Sequence, residues 1–323
     1  SWLVANACAG LLEGHPELDD IILFDRKRFG RVGRDLRVTW DFLEFVQNLR
    51  RKKFDLVVDL QGLFRSGFFT WISGASERIG FANAREYAWI FYNHRIRQKH
   101  PDAHAVQQNY LTGRFLGFHH LPIRFNIPVH HSAREEARLI LEQKGIQTDE
   151  PYVILAPTTR WETKIWPSEH FATVGRWIQE QYHLPVVVTG GPDEKDITSR
   201  VAQQAGERAI DVAGHINIPQ LSALVESARL MITNDSGPMH LAAALETPLI
   251  AVYGPTNPQR TGPFDHGQSV LRLDLPCSPC YIRNVAQCPY QHRCMKDLPP
   301  EKVMEKVNAM LSSEIPSCAS SHG

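Results

Sequence analysis

Residues 230–261, LMITNDSGPMHLAAALETPLIAVYGPTNPQRT, leave few architectures open to this chain. The apolar run Leu230-Met231-Ile232 reads as a buried parallel strand, and it stops at Asn234-Asp235-Ser236-Gly237. An Ala- and Leu-rich helix over 239–245 follows at once, Thr247-Pro248 ends it, and 249–253 reads as the next strand. This is one βαβ unit whose turn lies at the carboxyl end of a strand, where open α/β sheets bind ligands. The helix start aims free backbone N–H groups and a partial positive charge into that turn. Gly237 lets an anion approach the backbone, Ser236 adds a hydroxyl donor, and a phosphate fits. The Asp235 carboxylate suits sugar hydroxyls better, and His240 lies about one turn further on. On the residues alone, Asp235 and Ser236 serve equally well as caps of the helix.

With 323 residues, 43% hydrophobic and 22% charged, the chain is long enough for two globular domains. Lys+Arg and Asp+Glu both number 35, so no charge excess argues for nucleic acid as a partner. No apolar run approaches ~18 residues and no signal-peptide pattern opens the chain. Six cysteines in a chain of this size do not make a disulfide-stapled secreted domain, so a cytoplasmic location is expected.

Read from its start, the chain opens at Ser1-Trp2-Leu3-Val4, already strand-like, and 21–24 is the next strand. An α/β domain beginning in this way leads us to expect that an upstream segment was removed. Residues 26–37 form a basic, glycine-punctuated loop, and Thr39 is expected to cap a helix burying Phe42, Leu43, Val46 and Leu49. The run 55–60, DLVVDL, is a buried-strand pattern that delivers Asp59, Gln61, Arg65 and Ser66 into a strand-end loop. Asp59 and Ser66 serve there as helix caps, or Gln61, Arg65 and Ser66 hold an anionic acceptor, Arg65 through charge-assisted hydrogen bonds. Arg78 and Arg85 repeat the theme in 77–87, and the histidines between 100 and 131 lack metal-ligand spacing.

A hinge falls within 124–149 and divides the chain into domains 1–130 and 131–323. Strands at 153–156, 186–189, 230–233 and 249–253 alternate with helices in the second, which indicates a parallel doubly wound sheet. Three strand ends there carry chemistry. Thr158, Thr159, Arg160 and Lys164 make a diphosphate cradle, Gly190-Gly191-Pro192-Asp193-Glu194 presents a carboxylate to a ribose diol, and the Asp235 turn is the third. Together they describe a nucleotide-diphosphate-sugar site at one sheet edge.

The pattern TTR…K-x-W-P, GGPDE and NDSGPMHLAAAL…YGPTNP…RTGPF resembles glycosyltransferase family 9, the ADP-heptose:lipopolysaccharide heptosyltransferases, and most nearly the type II members. DLQGLFRSG and ERIGFANAREYA are similar to that family's amino-terminal domain. The resemblance implies an α/β fold of two Rossmann-like domains facing a cleft, the GT-B type, with the amino-terminal domain truncated. It further implies inverting, cofactor-free and metal-independent transfer of heptose from ADP-heptose to the inner core of lipid-linked lipopolysaccharide. By the same resemblance Thr158, Thr159 and Lys164 bind the diphosphate and Glu194 the ribose. Asp235 contacts the heptose, Ser236, Gly237 and His240 belong to the phosphate-binding helix start, and Lys164 and Asp235 are the catalytic pair. Gln61, Arg65, Ser66 and Arg78 face the acceptor, and contact with a membrane is at most peripheral, at its cytoplasmic face. Family members carry a catalytic Asp in a Gly-Asp turn after their first strand. This sequence begins at what reads as the second strand, roughly thirty residues into that layout. Asp59 is not expected to replace that residue.

Cys277, Cys280, Cys288 and Cys294 have spacing compatible with tetrahedral zinc, or are buried thiols or a fortuitous disulfide, while Cys8 and Cys318 stand apart. Two other readings stay open on the residues: a non-catalytic sugar-nucleotide or lipopolysaccharide binder, and a sugar-nucleotide epimerase of the same two-domain type.

Overall fold

The computed structural model describes residues 1–98, 100 and 102–312; Cys318 and the tail expected to fray after Ser312 lie outside them. The chain divides into two compact units, one of residues 1–9 and 16–124, the other of residues 10–15 together with the chain from 125 onward.

In the first unit, β1 (Trp2–Ala5) pairs in parallel with β2 (Ile21–Phe24). The basic stretch read as a loop contains a single helical turn, α1 (Arg26–Phe29). The following helix, α2 (Leu36–Arg51), starts four residues earlier than a cap at Thr39 would place it. Asp35 is its cap, accepting the Arg37 and Val38 N–H groups, and the Thr39 hydroxyl donates back to the Asp35 carbonyl. Then come β3 (Leu56–Val58), α3 (Phe64–Ile72), β4 (Glu77–Phe81), β5 (His94–Ile96) and α4 (Ala105–Phe115), with β3, β4 and β5 in a parallel sheet. Aromatic packing dominates this unit: Phe24, Leu49 and Phe69 form its buried centre, surrounded by Phe29, Phe42, Phe45, Phe54 and Phe68. Gly67 lets α3 approach its neighbour, since an added Cβ would stand 2.7 Å from the Phe91 ring and 3.0 Å from the Ala88 carbonyl.

The second unit runs α5 (His131–Gln143), β6 (Val153–Ala156), α6 (Ser168–Tyr182), β7 (Val186–Val188), α7 (Lys195–Ala205), β8 (Ala209–Asp211) and α8 (Ile218–Ser227). It continues with β9 (Leu230–Asn234), α9 (Gly237–Ala244), β10 (Leu249–Val252), α10 (Pro258–Thr261), β11 (Val270–Leu271), α11 (Arg293–Lys296) and α12 (Pro300–Leu311). All six strands are parallel, in the order β11-β10-β9-β6-β7-β8. Helices cover both faces, so the central strands are buried along their whole length and mostly apolar. Along β6, Val153 and Leu155 enter one core cluster, while Ile154 and Ala156 enter the other. Residues 10–15 belong to this unit: Leu11 packs on its core, and the Glu13 carbonyl meets His130 Nε2 at 2.7 Å.

Numbered from its first strand, this sheet has the order 3-2-1-4-5-6. The chain leaves β6 for β7 on one side and later returns to β9 on the other. The carboxyl ends of β6 and β9 therefore flank the switch point, where loops diverge to opposite faces and leave a crevice. Among the described residues no helix is long and apolar enough to cross a membrane.

One core contact carries a pH signature. His170, in the first turn of α6, packs its ring on Trp166 at 5.1 Å, and its buried Nδ1 has no hydrogen-bond partner. Burial lowers its pKa, outweighing the opposing influence of Glu169, the Leu298 backbone and Glu301. The folded state thus binds fewer protons than the unfolded state just below the ordinary histidine pKa of about 6.5. The associated stability is present above that value and lost as pH falls through it. Thermal melts between pH 7.5 and 5.5 should show a decline in Tm that is shallower in His170→Phe; identical slopes would remove His170 as the cause.

Candidate functional site

Two loops meet at the β6/β9 switch point, and one buried amide ties both ends of the first to the start of the second. Asn234, the last residue of β9, is fully buried; its Nδ2 donates to the Pro157 carbonyl at 2.8 Å and its Oδ1 accepts from the Trp166 N–H at 3.0 Å. Both ends of the loop after β6 are thereby fixed. That loop carries Thr158, Thr159, Arg160 and Lys164.

Lys164 Nζ lies 2.6 Å from Asp235 Oδ2, with the side chains 15% and 5% exposed. The Thr256 hydroxyl, from the turn after β10, donates to the same carboxylate oxygen at 2.6 Å. Tyr253 is buried next to these groups. Desolvation, reinforced by the Asp235 charge, pushes its phenol far above the usual tyrosine range, so it stays neutral. Thr159 Oγ1 donates to the Asp235 carbonyl at 3.0 Å. Three strand-end loops, after β6, β9 and β10, thus converge on one carboxylate. Thr256 and the linking role of Asn234 escape a motif reading, although a turn following the strand next to β9 is a signal that locates Thr256.

The helix start stays open. Neither residue weighed as a cap for α9 acts as one: Asp235 is engaged by Lys164 and Thr256, and the Ser236 hydroxyl meets Thr233 Oγ1 at 3.1 Å. A Cβ added at Gly237 would meet no atom within 4 Å, so its glycine leaves free approach to the helix N-terminus. His240 sits on the same helix, exposed. On the other side of β6, Glu194 Oε2 accepts from Thr158 Oγ1 at 2.7 Å and from the Gly191 N–H at 2.6 Å. Thr158, Thr159, Lys164, Glu194, Asp235, Ser236 and Gly237 therefore share one sheet edge.

The first-unit candidates are more dispersed in role. Ser66 Oγ accepts the Leu63 N–H and donates to the Leu63 carbonyl, so it secures the start of α3. Arg78 spends its guanidinium on the Phe91 and Ala75 carbonyls. Gln61 is exposed, and Arg65 is half-buried with its guanidinium carbon 5.6 Å from the Phe24 ring centroid. Asp59 is buried and fully used: one oxygen accepts the Gln61 and Gly62 N–H groups, the other the Tyr92 hydroxyl. Burial, strengthened by this Asp59 contact, raises the Tyr92 pKa well above its ordinary value.

Cys277, Cys280, Cys288 and Cys294 line one pocket with Pro255, Ile282 and Tyr290. Burial, with the neighbouring thiols, pushes the Cys294 pKa up to about 11, so it is a thiol at neutral pH. All four are unpaired, and among the described residues no three His, Cys, Asp or Glu side chains converge as a metal site.

A doubly wound parallel sheet with its polar loops gathered at the switch point, preceded by a smaller parallel α/β unit, is an α/β fold of the GT-B type. The chain belongs to glycosyltransferase family 9, the heptosyltransferases, whose description matches residues 42–292. It is 27% identical over 330 residues to lipopolysaccharide heptosyltransferase 1 of Pseudomonas aeruginosa, covering 96% of this chain and 88% of that protein. The solved structure of the Escherichia coli ADP-heptose lipopolysaccharide heptosyltransferase II superposes with a TM-score of 0.73 at 22% identity, over 97% of this chain and 89% of that one. A family 9 glycosyltransferase from Veillonella parvula gives a TM-score of 0.78 at 21% identity, over 96% and 87%. Family membership makes the chain a glycosyltransferase and sets the epimerase and non-catalytic readings aside.

Proposed function

We propose that this enzyme transfers heptose from ADP-heptose to the inner core of lipid-linked lipopolysaccharide, with inversion at the transferred carbon. The observation that carries the proposal is the Lys164–Asp235 pair at the β6/β9 switch point, beside the uncapped start of α9, in a family 9 chain. As the bond to heptose breaks, negative charge grows on the departing ADP. Lys164 and the N–H groups of α9 lie where they stabilise that charge, from a preorganised position. Asp235 orients Lys164 and offers its other oxygen to a heptose hydroxyl. Glu194, anchored by Thr158 and the Gly191 N–H, accepts from the adenosine ribose. Thr159 and Ser236 line the diphosphate path, with Gly237 and His240 at the helix start.

On this reading the second unit holds the donor and the first unit the acceptor, whose acidic sugars suit a cation. Gln61 and Arg65 keep polar groups available for it, whereas Ser66 and Arg78 support the first unit's backbone. The lipid-linked acceptor brings the enzyme to a membrane surface peripherally.

Calorimetric titration with ADP, UDP, GDP and CDP tests the donor assignment. Selective ADP binding that disappears in Lys164→Ala is expected. Absence of ADP binding by folded enzyme, or equal binding of all four nucleotides, would overturn it.

A further inference from the structure

The Cys-rich loop lies against the donor site and brings a cation to it. Thr163, next to Lys164, is buried and held from this loop twice: its hydroxyl donates to the Ile282 carbonyl at 2.6 Å, and its carbonyl meets His292 Nε2 at 2.7 Å. The Val285 N–H donates to the Glu162 carboxylate at 3.1 Å. On its other flank, the Cys280 and Tyr281 N–H groups donate to the Pro255 carbonyl at 3.0 and 2.8 Å, and Ser278 Oγ donates to Gly254 at 2.5 Å. The loop is thus bolted both to the Lys164 turn and to the turn that carries Thr256.

Between the Ile282 and Val285 anchors stands Arg283. Its guanidinium carbon lies 4.6 Å from the Trp161 ring centroid, and Lys164 Nζ lies 4.5 Å from the same centroid. The two cations are therefore within about 9 Å of each other, about one Debye length at physiological ionic strength. Arg283 is exposed and, among the described residues, makes no ion pair. Its charge is fully available.

That charge joins the one Arg160 brings, exposed on the same loop as Lys164. Lys164 is already compensated by Asp235, and Glu194 adds a second carboxylate to the same sheet edge. A nucleoside diphosphate entering there meets little net positive charge from these residues alone. A planar guanidinium held on an indole face is suited to bidentate phosphate contact.

We infer that Arg283, presented by the Cys-rich loop on the Trp161 ring, is a donor-binding residue that contacts the diphosphate of the nucleotide sugar. The inference rests on the donor-site reading above, and the experiment separates the two. ADP and adenosine are titrated into the wild type, Arg283→Gln, Arg283→Lys and Lys164→Ala, with Tm measured for each. Arg283→Gln should weaken ADP about tenfold, leave adenosine unchanged and keep the wild-type Tm, and Arg283→Lys should recover part of the loss. Wild-type ADP affinity in Arg283→Gln would overturn this inference while leaving the donor site standing. Equal weakening of ADP and adenosine would overturn it too, because Arg283 would then act through the fold. Failure of the wild type to bind ADP would remove both readings together.

Discussion

Replacing Lys164 with alanine should lower kcat/KM for sugar transfer by about 10²–10³-fold, the effect of removing one preorganised charge from a developing anion. Stability should fall as well, because Asp235 is buried and would lose its Lys164 partner while keeping the Thr256 hydroxyl. Leaving one member of a mostly buried pair unpartnered costs about 2 kcal/mol, less than a fully buried pair because Lys164 retains some exposure. The double variant Lys164→Ala/Asp235→Ala separates these effects. It should regain part of the lost Tm, since no orphan charge remains, and regain no activity. Recovery of activity alongside Tm would assign Lys164 a purely structural role.

Asn234→Leu should produce the largest loss of stability among the site residues. The substitution nearly conserves volume but strands the Trp166 N–H and the Pro157 carbonyl, both served by the one amide. Two backbone groups left without partners cost about 3 kcal/mol together, or roughly 6–10 °C in Tm for a unit of this size. ADP affinity should decline in parallel, because the loop carrying Thr158 to Lys164 loses its two bonds to the end of β9. A variant melting within a degree of the wild type would show that other contacts fix that loop.

What could be read from sequence follows from burial. Strands β6, β7, β9 and β10 are buried on both faces, so each contains an apolar run (in β9, Leu230 to Ile232) that stands out from its surroundings. β8 and β5, Ala-Ile-Asp and His-Arg-Ile, are short edge strands of mixed polarity and carry no such signal. Helix α7 buries only Thr198, Val201, Ala202 and Ala205, a face too small-featured to announce itself. The polar residues at strand ends were legible because sheet topology gathers them at one edge. Arg283 and Trp161 were not, since nothing in their spacing says that a loop more than a hundred residues onward returns to Lys164. The role of Asn234 was hidden for a different reason. An asparagine at the end of a strand looks like turn chemistry until both carbonyl and N–H partners are seen.

The assignment of residues 10–15 to the second unit has a consequence for modularity. The backbone passes from one unit to the other after Ala9, back after His15, and over again after Arg124. Neither unit is therefore a continuous cassette. Severing the chain at 124 would take Leu11 away from the second core and the Glu13 carbonyl away from His130. Exchange of halves between relatives, an obvious way to recombine donor and acceptor preferences, has to carry this hexapeptide with the carboxyl-terminal partner.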